Sequence, residues 1–189
     1  MGCSATNGAD GQFYALIGFI PGALGEYLDA LRQQLVPGCP FRAHVTILPP
    51  RLLRGAPDDL SADLAHRLQE AGALDIGIGE IEIFPATNVV YLEIESGGEA
   101  LNRIHEQLAR GRFESEEPYP FHPHITLAQE FPAAQLEELV ARAAFLWKEW
   151  KKERRFVLDR LSFVRGMDLS NWEIISEHEL NRSQFLKTA

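Results

Sequence analysis

Two short segments with the same residue pattern constrain this chain more than any other feature. The first is centred on His44-Val45-Thr46, and the second, 80 residues later, on His124-Ile125-Thr126. β-branched residues favour strands, in which successive side chains point to opposite faces. We therefore expect the His and Thr of each triplet to share one face of a strand and to look into a cleft. The aliphatic residues of the same strand then pack on a core from the other face.

The order of predicted elements repeats around these two segments. The first half predicts, in order, a strand at 13–20, a helix at 23–36, the motif strand at 41–48, a helix from Asp58 or Ser61 to about Ala71, and a strand at 74–84 with a bulge near Gly79. The second half predicts a strand at 89–95, a helix that follows Gly97-Gly98 and runs through Leu101 to about Arg110, an acidic loop at 111–120, the motif strand at 122–129, a helix at 132–152 and strands at 156–165 and 172–178. Moving the chain by 80 residues also places GEIEIF (79–84) on DRLSFV (159–164). We interpret this as a repeat of element order, spanning roughly 12–85 and 88–166, within one bilobal domain at 12–180.

Composition limits the classes of partner. The net charge of −9 argues against a protein that holds long phosphate backbones non-specifically, but it is compatible with a small phosphate ester in a local pocket. The two cysteines, Cys3 and Cys39, do not form a disulfide framework, so we predict a reducing, cytoplasmic location. We also expect a monomer. No apolar run approaches the ~20 residues of a membrane span. Residues 1–11 and 181–189 are expected to be loose tails, although Gly2 with Thr6 matches an N-myristoylation pattern.

Two histidines on facing strands suit phosphodiester chemistry. In-line attack at phosphorus requires one group that removes a proton from the attacking oxygen and another that protonates the leaving oxygen on the opposite side. Histidine serves both tasks near neutral pH. Threonine hydroxyls two residues along the same faces can donate hydrogen bonds to the phosphate oxygens. Such a site requires neither a metal nor another cofactor.

At this point the chain resembles a known family. The two H-x-T motifs, the form PHITLA at the second, and the late strands ending near Trp172 resemble the two-histidine (2H) phosphoesterase superfamily, and most closely its bacterial 2′-5′ RNA ligase-like, cyclic phosphodiesterase branch. The resemblance implies an α+β, bilobal, pseudo-twofold fold with two antiparallel sheets facing a central groove and helices outside. It implies His44 and His124 as the acid-base pair and Thr46 and Thr126 as phosphate contacts. It also implies metal-free hydrolysis of 2′,3′-cyclic phosphates, 2′-5′ linkages or RNA-end esters, or ligation in the reverse direction.

Three further residues are candidate substrate contacts. Arg42 shares a face with His44 and is placed to neutralise phosphate, unless it is a solvated edge arginine. His122 shares a face with His124, unless it is a structural or exposed histidine near Pro123. Tyr119 precedes the second motif and is placed to stack on a base, unless it anchors its loop. Family members often carry a basic residue after the second motif, where this chain has Gln129-Glu130.

Other interpretations of the same residues stay open. His122 and His124 form an H-x-H pair that can hold a metal, with Glu130 nearby. The groove can also bind a nucleotide without turnover, or the two histidines can be structural. The faces of Ser162 and Arg165 are undetermined, and His66, His105 and His178 are expected at the surface. The basic segment at 147–155 is interpreted as a solvated helix face, with RNA contact as the alternative.

Overall fold

The computed structural model describes residues 12–166 and 172–186, so the predicted N-terminal tail and its Gly2 motif lie outside the described residues. The strands of the described part are β1 (Gln12–Phe19), β2 (His44–Leu53), β3 (Gly72–Phe84), β4 (Val89–Ser96), β5 (His124–Ala128), β6 (Arg155–Leu158), β7 (Arg160–Gly166), β8 (Trp172–Glu179) and β9 (Asn181–Leu186). Its α-helices are α1 (Gly22–Leu35), α2 (Pro57–Leu68), α3 (Gly98–Leu108) and α4 (Leu136–Glu149), and short 3-10 turns lie at Gly111–Phe113 and Ala133–Gln135.

The strands form two sheets, and each motif strand is the edge of one of them. The first sheet (sheet A) has the order β2-β1-β7-β8, and the second (sheet B) has the order β5-β4-β3-β6. Neighbouring strands along both orders are antiparallel, while β9 adds a parallel pairing to β3. The predicted α+β fold with two antiparallel sheets is confirmed.

Strands are exchanged between the two halves of the chain. β7 lies in the second half but pairs with β1, with Ile17 opposite Ser162. β3 lies in the first half but pairs with β4, with Glu82 opposite Tyr91. Each sheet therefore combines strands from both halves, and the equivalent positions Glu82 and Ser162 are again 80 residues apart.

Both motif strands carry a bulge at the same place. In β2, Thr46 lies opposite Ile17 and Leu48 opposite Leu16, which leaves Ile47 as an extra residue. In β5, the pairs are Thr126 with Tyr91 and Ala128 with Val90, which leaves Leu127 as the extra residue. A bulge disturbs the ladder locally and leaves the extra residue unpaired, so the backbone after each motif Thr is open to other partners.

Each sheet is covered by two helices, one from each half of the chain. α1 and α4 pack on sheet B, at β5 and β3, whereas α2 and α3 pack on sheet A, at β8 and β2. Apolar stripes at helical spacing face the sheets, as shown by the buried Leu24, Leu28, Leu31 and Leu35 of α1. In α4, the Trp147 indole donates to the Gly79 carbonyl at 3.0 Å, inside the region where the register of β3 shifts. The predicted bulge near Gly79 is confirmed.

Three element boundaries differ from the sequence prediction. β2 continues through Pro49-Pro50, because an edge strand tolerates residues that lack an N–H. The predicted strand at 156–165 is two strands, β6 in sheet B and β7 in sheet A, separated at Asp159. The expected loose tail after residue 180 is wrong for Asn181–Leu186, which form β9.

The described residues contain no helix that is both long enough and apolar enough to cross a membrane.

A tight backbone approach at Gly97 gives a test of this packing. Gly97 has a positive φ of 87°, and a Cβ there would lie 2.7 Å from the Asp75 carbonyl oxygen. Gly38 has a similar φ of 81° but nothing within 4 Å of a Cβ. We expect Gly38→Ala to lower the free energy of unfolding by about 1 kcal/mol, the cost of backbone strain alone. Gly97→Ala should cost roughly 1–3 kcal/mol more, because β3 must also move.

Urea unfolding of the two variants measures the difference. Equal losses at Gly97 and Gly38 would show that the contact between the start of α3 and β3 does not contribute.

Candidate active site

The same hydrogen bond orients both motif histidines. The Nδ1–H of His44 donates to the Arg42 carbonyl at 2.7 Å, and the Nδ1–H of His124 donates to the His122 carbonyl at 2.7 Å. A carbonyl oxygen only accepts, so each Nδ1 carries the proton and each Nε2 is left with its lone pair when the ring is neutral. Both rings therefore present the same nitrogen, in the same state, to the groove.

Burial alternates along both motif strands as expected for one face on the core. Val45 and Ile125 are 0% exposed, while the His and Thr on either side of each are half-buried. On sheet A the groove face carries its own small apolar cluster of Ala15, Ile17 and Val164, separate from the main core. The predicted shared face of His and Thr in each motif is thus present in both strands.

Burial and nearby positive charge lower the pKa of both imidazoles. Burial is the main cause that lowers the pKa of His44 to about 4, and the charges of Arg32 and His124 add to it, against the hydrogen bond to Arg42. The pKa of His124 is also lowered, mainly by burial. Both histidines are therefore predominantly neutral at pH 7.

Aromatic rings surround His124. Its ring centroid lies 4.9 Å from that of Phe84 and 5.3 Å from that of Tyr91, which stack on each other at 4.0 Å. His122 touches the same two rings, and its Nε2 lies 3.5 Å from a carboxylate oxygen of Glu93. The prediction that His122 shares a face with His124 is therefore confirmed, and Glu93 is a partner that the sequence did not indicate.

A different aromatic group surrounds His44. Trp172, the first residue of β8, lies 5.5 Å from the His44 ring and 5.1 Å from Phe41, and Phe19 lies 6.4 Å from His44. Arg42 places its guanidinium 4.4 Å above the Phe19 ring and lies 3.9 Å from Asp29. The cation of Arg42 thus rests on an aromatic face near His44, and its contact with phosphate stays a prediction.

Comparison with known proteins agrees with this geometry. The model of the 2′-5′ RNA ligase superfamily matches residues 21–168, which is most of the chain. The chain belongs to this superfamily of 2H phosphoesterases. A Geobacillus kaustophilus protein is 21% identical over 85% of this chain and 92% of its own length, and an Oceanobacillus iheyensis protein is 25% identical over 89% and 98%. The names of both assign them provisionally as phosphoesterases.

Solved structures show that the fold is shared. Escherichia coli LigT in complex with ATP matches with a TM-score of 0.62 at 16% identity, over 92% of this chain and all (100%) of LigT. LigT complexed with 3′-AMP gives 0.61 at 13% identity over the same shares. Kluyveromyces marxianus Usb1 gives 0.56 at 11% identity, over 85% of this chain and 97% of Usb1.

In this 2H phosphoesterase, α1 braces the second motif strand through a buried arginine. Arg32 is 3% exposed and donates to the Thr126 carbonyl oxygen, and its second terminal nitrogen lies 3.4 Å from the Cys39 sulfur. Among the described residues its Nε has no hydrogen-bond partner. Sequence reasoning missed Arg32, although its position four residues after Leu28 places it in the apolar stripe of α1.

Helix α3 braces the first motif strand in the same manner. The Nδ1–H of His105 donates to the carbonyl of Ile47, the extra residue of the β2 bulge, at 2.8 Å, and its ring stacks on Phe121 at 3.8 Å. Its Nε2 lies 3.7 Å from Glu117, which also pairs with the buried Arg51 of β2 at 2.6 Å. The loop before the second motif is thereby fixed to the first motif strand.

The expected surface positions of two histidines are wrong. His105 and His178 are each 8% exposed, because both lie on faces that pack against a sheet or helix, whereas His66 is exposed as predicted. His105 follows Leu101 by four residues, so the apolar stripe of α3 was the signal that pointed to burial.

The remaining residues singled out from the sequence make no recorded contact with the imidazoles of His44 and His124. Ser162 is 2% exposed and faces the groove, since it lies opposite Ile17. Arg165 lies opposite Tyr14, whose side chain is in the main core, so it faces away from the groove. Tyr119 is 57% exposed in its loop, and its role in stacking stays a prediction. Glu130 has a positive φ of 57° in the turn after β5.

The structure supports neither a metal site at His122 and His124 nor an RNA-binding role for the basic segment at 147–155. Within residues 12–166 and 172–186, no group of three or more His, Cys, Asp or Glu side chains is arranged to hold a metal, so the H-x-H pair lacks a third ligand there. In the basic segment, Arg154 pairs with Glu80 at 2.8 Å and Arg155 with Asp75 at 2.7 Å, which reduces its capacity for RNA phosphates.

Arg32 is placed to test the coupling between α1 and the two histidines. Arg32→Gln keeps an N–H donor for the Thr126 carbonyl but removes the charge, whereas Arg32→Met removes both. We expect the pKa of His44 to rise in both variants, because a nearby positive charge disfavours the imidazolium. Only Arg32→Met should also lower the free energy of unfolding, by about 1–3 kcal/mol, because the carbonyl loses its partner.

NMR titration of the imidazole signals and urea unfolding separate the two effects. An unchanged His44 titration in Arg32→Gln would show that the charge of Arg32 does not reach the site.

Proposed function

We propose that this protein is a metal-independent phosphodiesterase that acts on 2′,3′-cyclic phosphates or 2′-5′ linked nucleotide and RNA-end esters. His44 and His124 form the acid-base pair, and Thr46 and Thr126 contact the phosphate. The observation that carries the proposal is the matched orientation of the two imidazoles, each fixed by its Nδ1–H on the carbonyl two residues earlier. Such matched orientation leaves two equivalent nitrogens for the two proton transfers of in-line displacement.

The chemistry follows from placing one phosphorus between the two Nε2 atoms. One neutral imidazole removes a proton from water or from a ribose hydroxyl as the new P–O bond forms. The other, protonated imidazole gives its proton to the leaving oxygen as the old P–O bond breaks. The negative charge of a bound phosphodiester stabilises an imidazolium, so binding raises the lowered pKa values of the two histidines and favours the protonated partner.

The two threonines complete the polar lining of the slot. Each lies two residues after its histidine on the same half-buried face, so its hydroxyl can donate to a non-bridging oxygen of a phosphate held between the rings. Negative charge accumulates on these oxygens in the transition state, where such donors contribute most. The relatives named above support a phosphate ester as substrate, and LigT binds ATP and 3′-AMP in its crystal structures.

The aromatic surroundings suit a nucleotide substrate. Phe84 and Tyr91 on one side and Phe19, Phe41 and Trp172 on the other provide flat apolar surfaces beside the slot. Bases and riboses pack on such surfaces, whereas inorganic phosphate, which has no base or ribose, makes no such contact.

Removal of either histidine should nearly abolish turnover. His44→Ala and His124→Ala are each expected to lower kcat for a 2′,3′-cyclic nucleotide by about 10²–10⁴-fold, because a general acid or base contributes that much. Thr46→Val and Thr126→Val should have smaller effects. His66→Ala, exposed on α2, is the matched control and should leave kcat unchanged. Formation of nucleoside monophosphate by chromatography is the measurement.

The same assay separates the competing functions. Full activity in both alanine variants would exclude the pair, and loss of activity on treatment with EDTA would contradict the metal-free scheme. Nucleotide binding by calorimetry without any product would favour a non-catalytic sensor, and joining of 2′-5′ ends would favour ligation.

The pH dependence of kcat/KM should be bell-shaped with an acidic maximum. kcat/KM reports the free enzyme, in which one imidazole must be neutral and the other protonated. Activity rises from the acid side as one imidazole of the pair loses its proton and falls as the other is deprotonated, and both pKa values lie below the ordinary 6.5 of histidine, that of His44 at about 4. The maximum therefore lies below pH 6.5, and the profile of kcat should be displaced to higher pH by the bound phosphate anion.

These limits belong to the coupled pair rather than to one ring. A kcat/KM profile that is still rising at pH 8 would contradict the lowered pKa values.

A further inference from the structure

Cys39 lies where the supports of the two motifs meet. Its backbone N–H donates to the Val36 carbonyl at 3.0 Å in the turn after α1, and the chain reaches His44 five residues later. Its sulfur lies 3.4 Å from one terminal nitrogen of Arg32, and the other terminal nitrogen of Arg32 donates to the Thr126 carbonyl. Cys39 is therefore connected to the first motif along the chain and to the second motif through Arg32.

The guanidinium of Arg32 is a buried cation without a carboxylate among its contacts. The residue is 3% exposed, and its two terminal nitrogens contact the Thr126 carbonyl and the Cys39 sulfur. Its Nε has no hydrogen-bond partner in the described part of the chain. A buried charge is costly unless an anion pairs with it, so an anionic group at this place would be stabilised. The Cys39 sulfur is the group at contact distance that oxidation converts into an anion.

The same sulfur is open to small oxidants. Cys39 is a free cysteine and is half-buried, while its neighbours Gly38 and Pro40 are exposed. Cysteines that react with oxidants are partly exposed and lie beside basic groups, whereas fully buried cysteines in apolar surroundings are inert. The exposure of Cys39 and its contact with Arg32 place it in the first class.

We propose that Cys39 is an oxidative modification site, at which a hydroperoxide converts the thiol to a sulfinate that draws Arg32 away from the Thr126 carbonyl and thereby lowers turnover. This inference goes beyond the proposed function. The modification and its effect on Arg32 do not depend on the substrate, whereas the loss of turnover rests on the proposed activity.

Two molecules of hydrogen peroxide supply the two oxygen atoms. In the first step the sulfur donates an electron pair to one peroxide oxygen, the O–O bond breaks as the S–O bond forms, and the thiol proton leaves with the other oxygen as water. The second step repeats this on the sulfenic acid and gives a sulfinic acid and a second water. In both steps the sulfur is oxidised and the peroxide is reduced. The sulfinic acid then loses its proton to solvent, which leaves an anion beside Arg32.

This anion competes with the Thr126 carbonyl for one guanidinium. Hydrogen bonds to a charged acceptor are roughly twice as strong as those to a neutral one, so the sulfinate is the stronger partner. β5 then loses the donor that holds it at the second motif, and His124 and Thr126 are less precisely placed. The sulfinate also offsets the positive charge of Arg32, which is one of the causes that lower the pKa of His44. Oxidation should therefore raise the pKa of His44.

The two cysteines of the chain give matched variants for the test. The full-length protein is treated with a small molar excess of hydrogen peroxide, and mass spectrometry of its peptides locates the added oxygen. We expect two oxygen atoms on Cys39 and a fall in kcat for a 2′,3′-cyclic nucleotide of at least about 10-fold, because displaced catalytic groups cost that much. Cys3→Ser should respond as the wild-type protein does, whereas Cys39→Ser should keep its turnover after treatment.

A second pair of variants tests the charge without an oxidant. Cys39→Asp places a permanent carboxylate beside Arg32, and Cys39→Asn places a neutral group of the same shape there. Cys39→Asp should raise the pKa of His44 in an NMR titration and lower kcat, and Cys39→Asn should do neither. In Arg32→Gln, which has no charge to attract, Cys39→Asp should leave the His44 titration unchanged.

The possible failures are distinguishable. Oxygen found on Cys3 but not on Cys39, an equal loss of turnover in treated Cys39→Ser, or identical His44 titrations of Cys39→Asp and Cys39→Asn would overturn the modification site. If Cys39 is oxidised and the His44 titration moves, but the untreated protein turns over no phosphodiester, the modification site stands and the proposed function is wrong.

Discussion

Each sheet of this protein is completed by strands from the other half of the chain, and the site depends on that exchange. A two-stranded hairpin such as β1-β2 or β4-β5 is marginal in water, because it cannot bury its apolar face. β7 and β8 complete the first sheet, and β3 and β6 complete the second. The exchange also leaves both motif strands at sheet edges, where β2 and β5 approach each other and face the same groove. Folding of either half and formation of the site are therefore one event.

The bulge after each motif threonine couples the helices to this arrangement. An extra residue disturbs the ladder, and its carbonyl must find another partner if it is buried. At β2 the partner of the Ile47 carbonyl is His105 of α3, and at β5 Arg32 of α1 holds the adjacent carbonyl of Thr126. Each helix comes from the half opposite to the strand that it braces. Because one of these helices contributes an arginine and the other a histidine, the two halves give the motif histidines different electrostatic surroundings.

The local parts of this structure could be predicted from sequence, and the parts that depend on distant contacts could not. The His-x-Thr triplets define a strand face within three residues, so His44 and His124 were found together with the faces they occupy. The break at Asp159 could not be predicted, because the residues at 156–165 have the pattern of one strand. Its division into β6 and β7 depends on which sheet each part joins. Arg32 and His105 interrupt apolar stripes, but only the position of the opposite motif strand shows which carbonyls they serve. The pairing of β9 with β3 likewise has no local signal.

The charge around the slot limits which phosphate esters it admits. Arg32 is a buried cation that donates to the Thr126 carbonyl and lies 3.4 Å from the Cys39 sulfur, so under the proposed function its charge would favour an anion near the histidines. Carboxylates lie farther out, as Glu93 beside His122 and as Glu177 and Glu179 on β8. Under the proposed function, a single phosphodiester would be stabilised at the centre by Arg32, while each additional phosphate of a longer chain would meet carboxylates of its own sign.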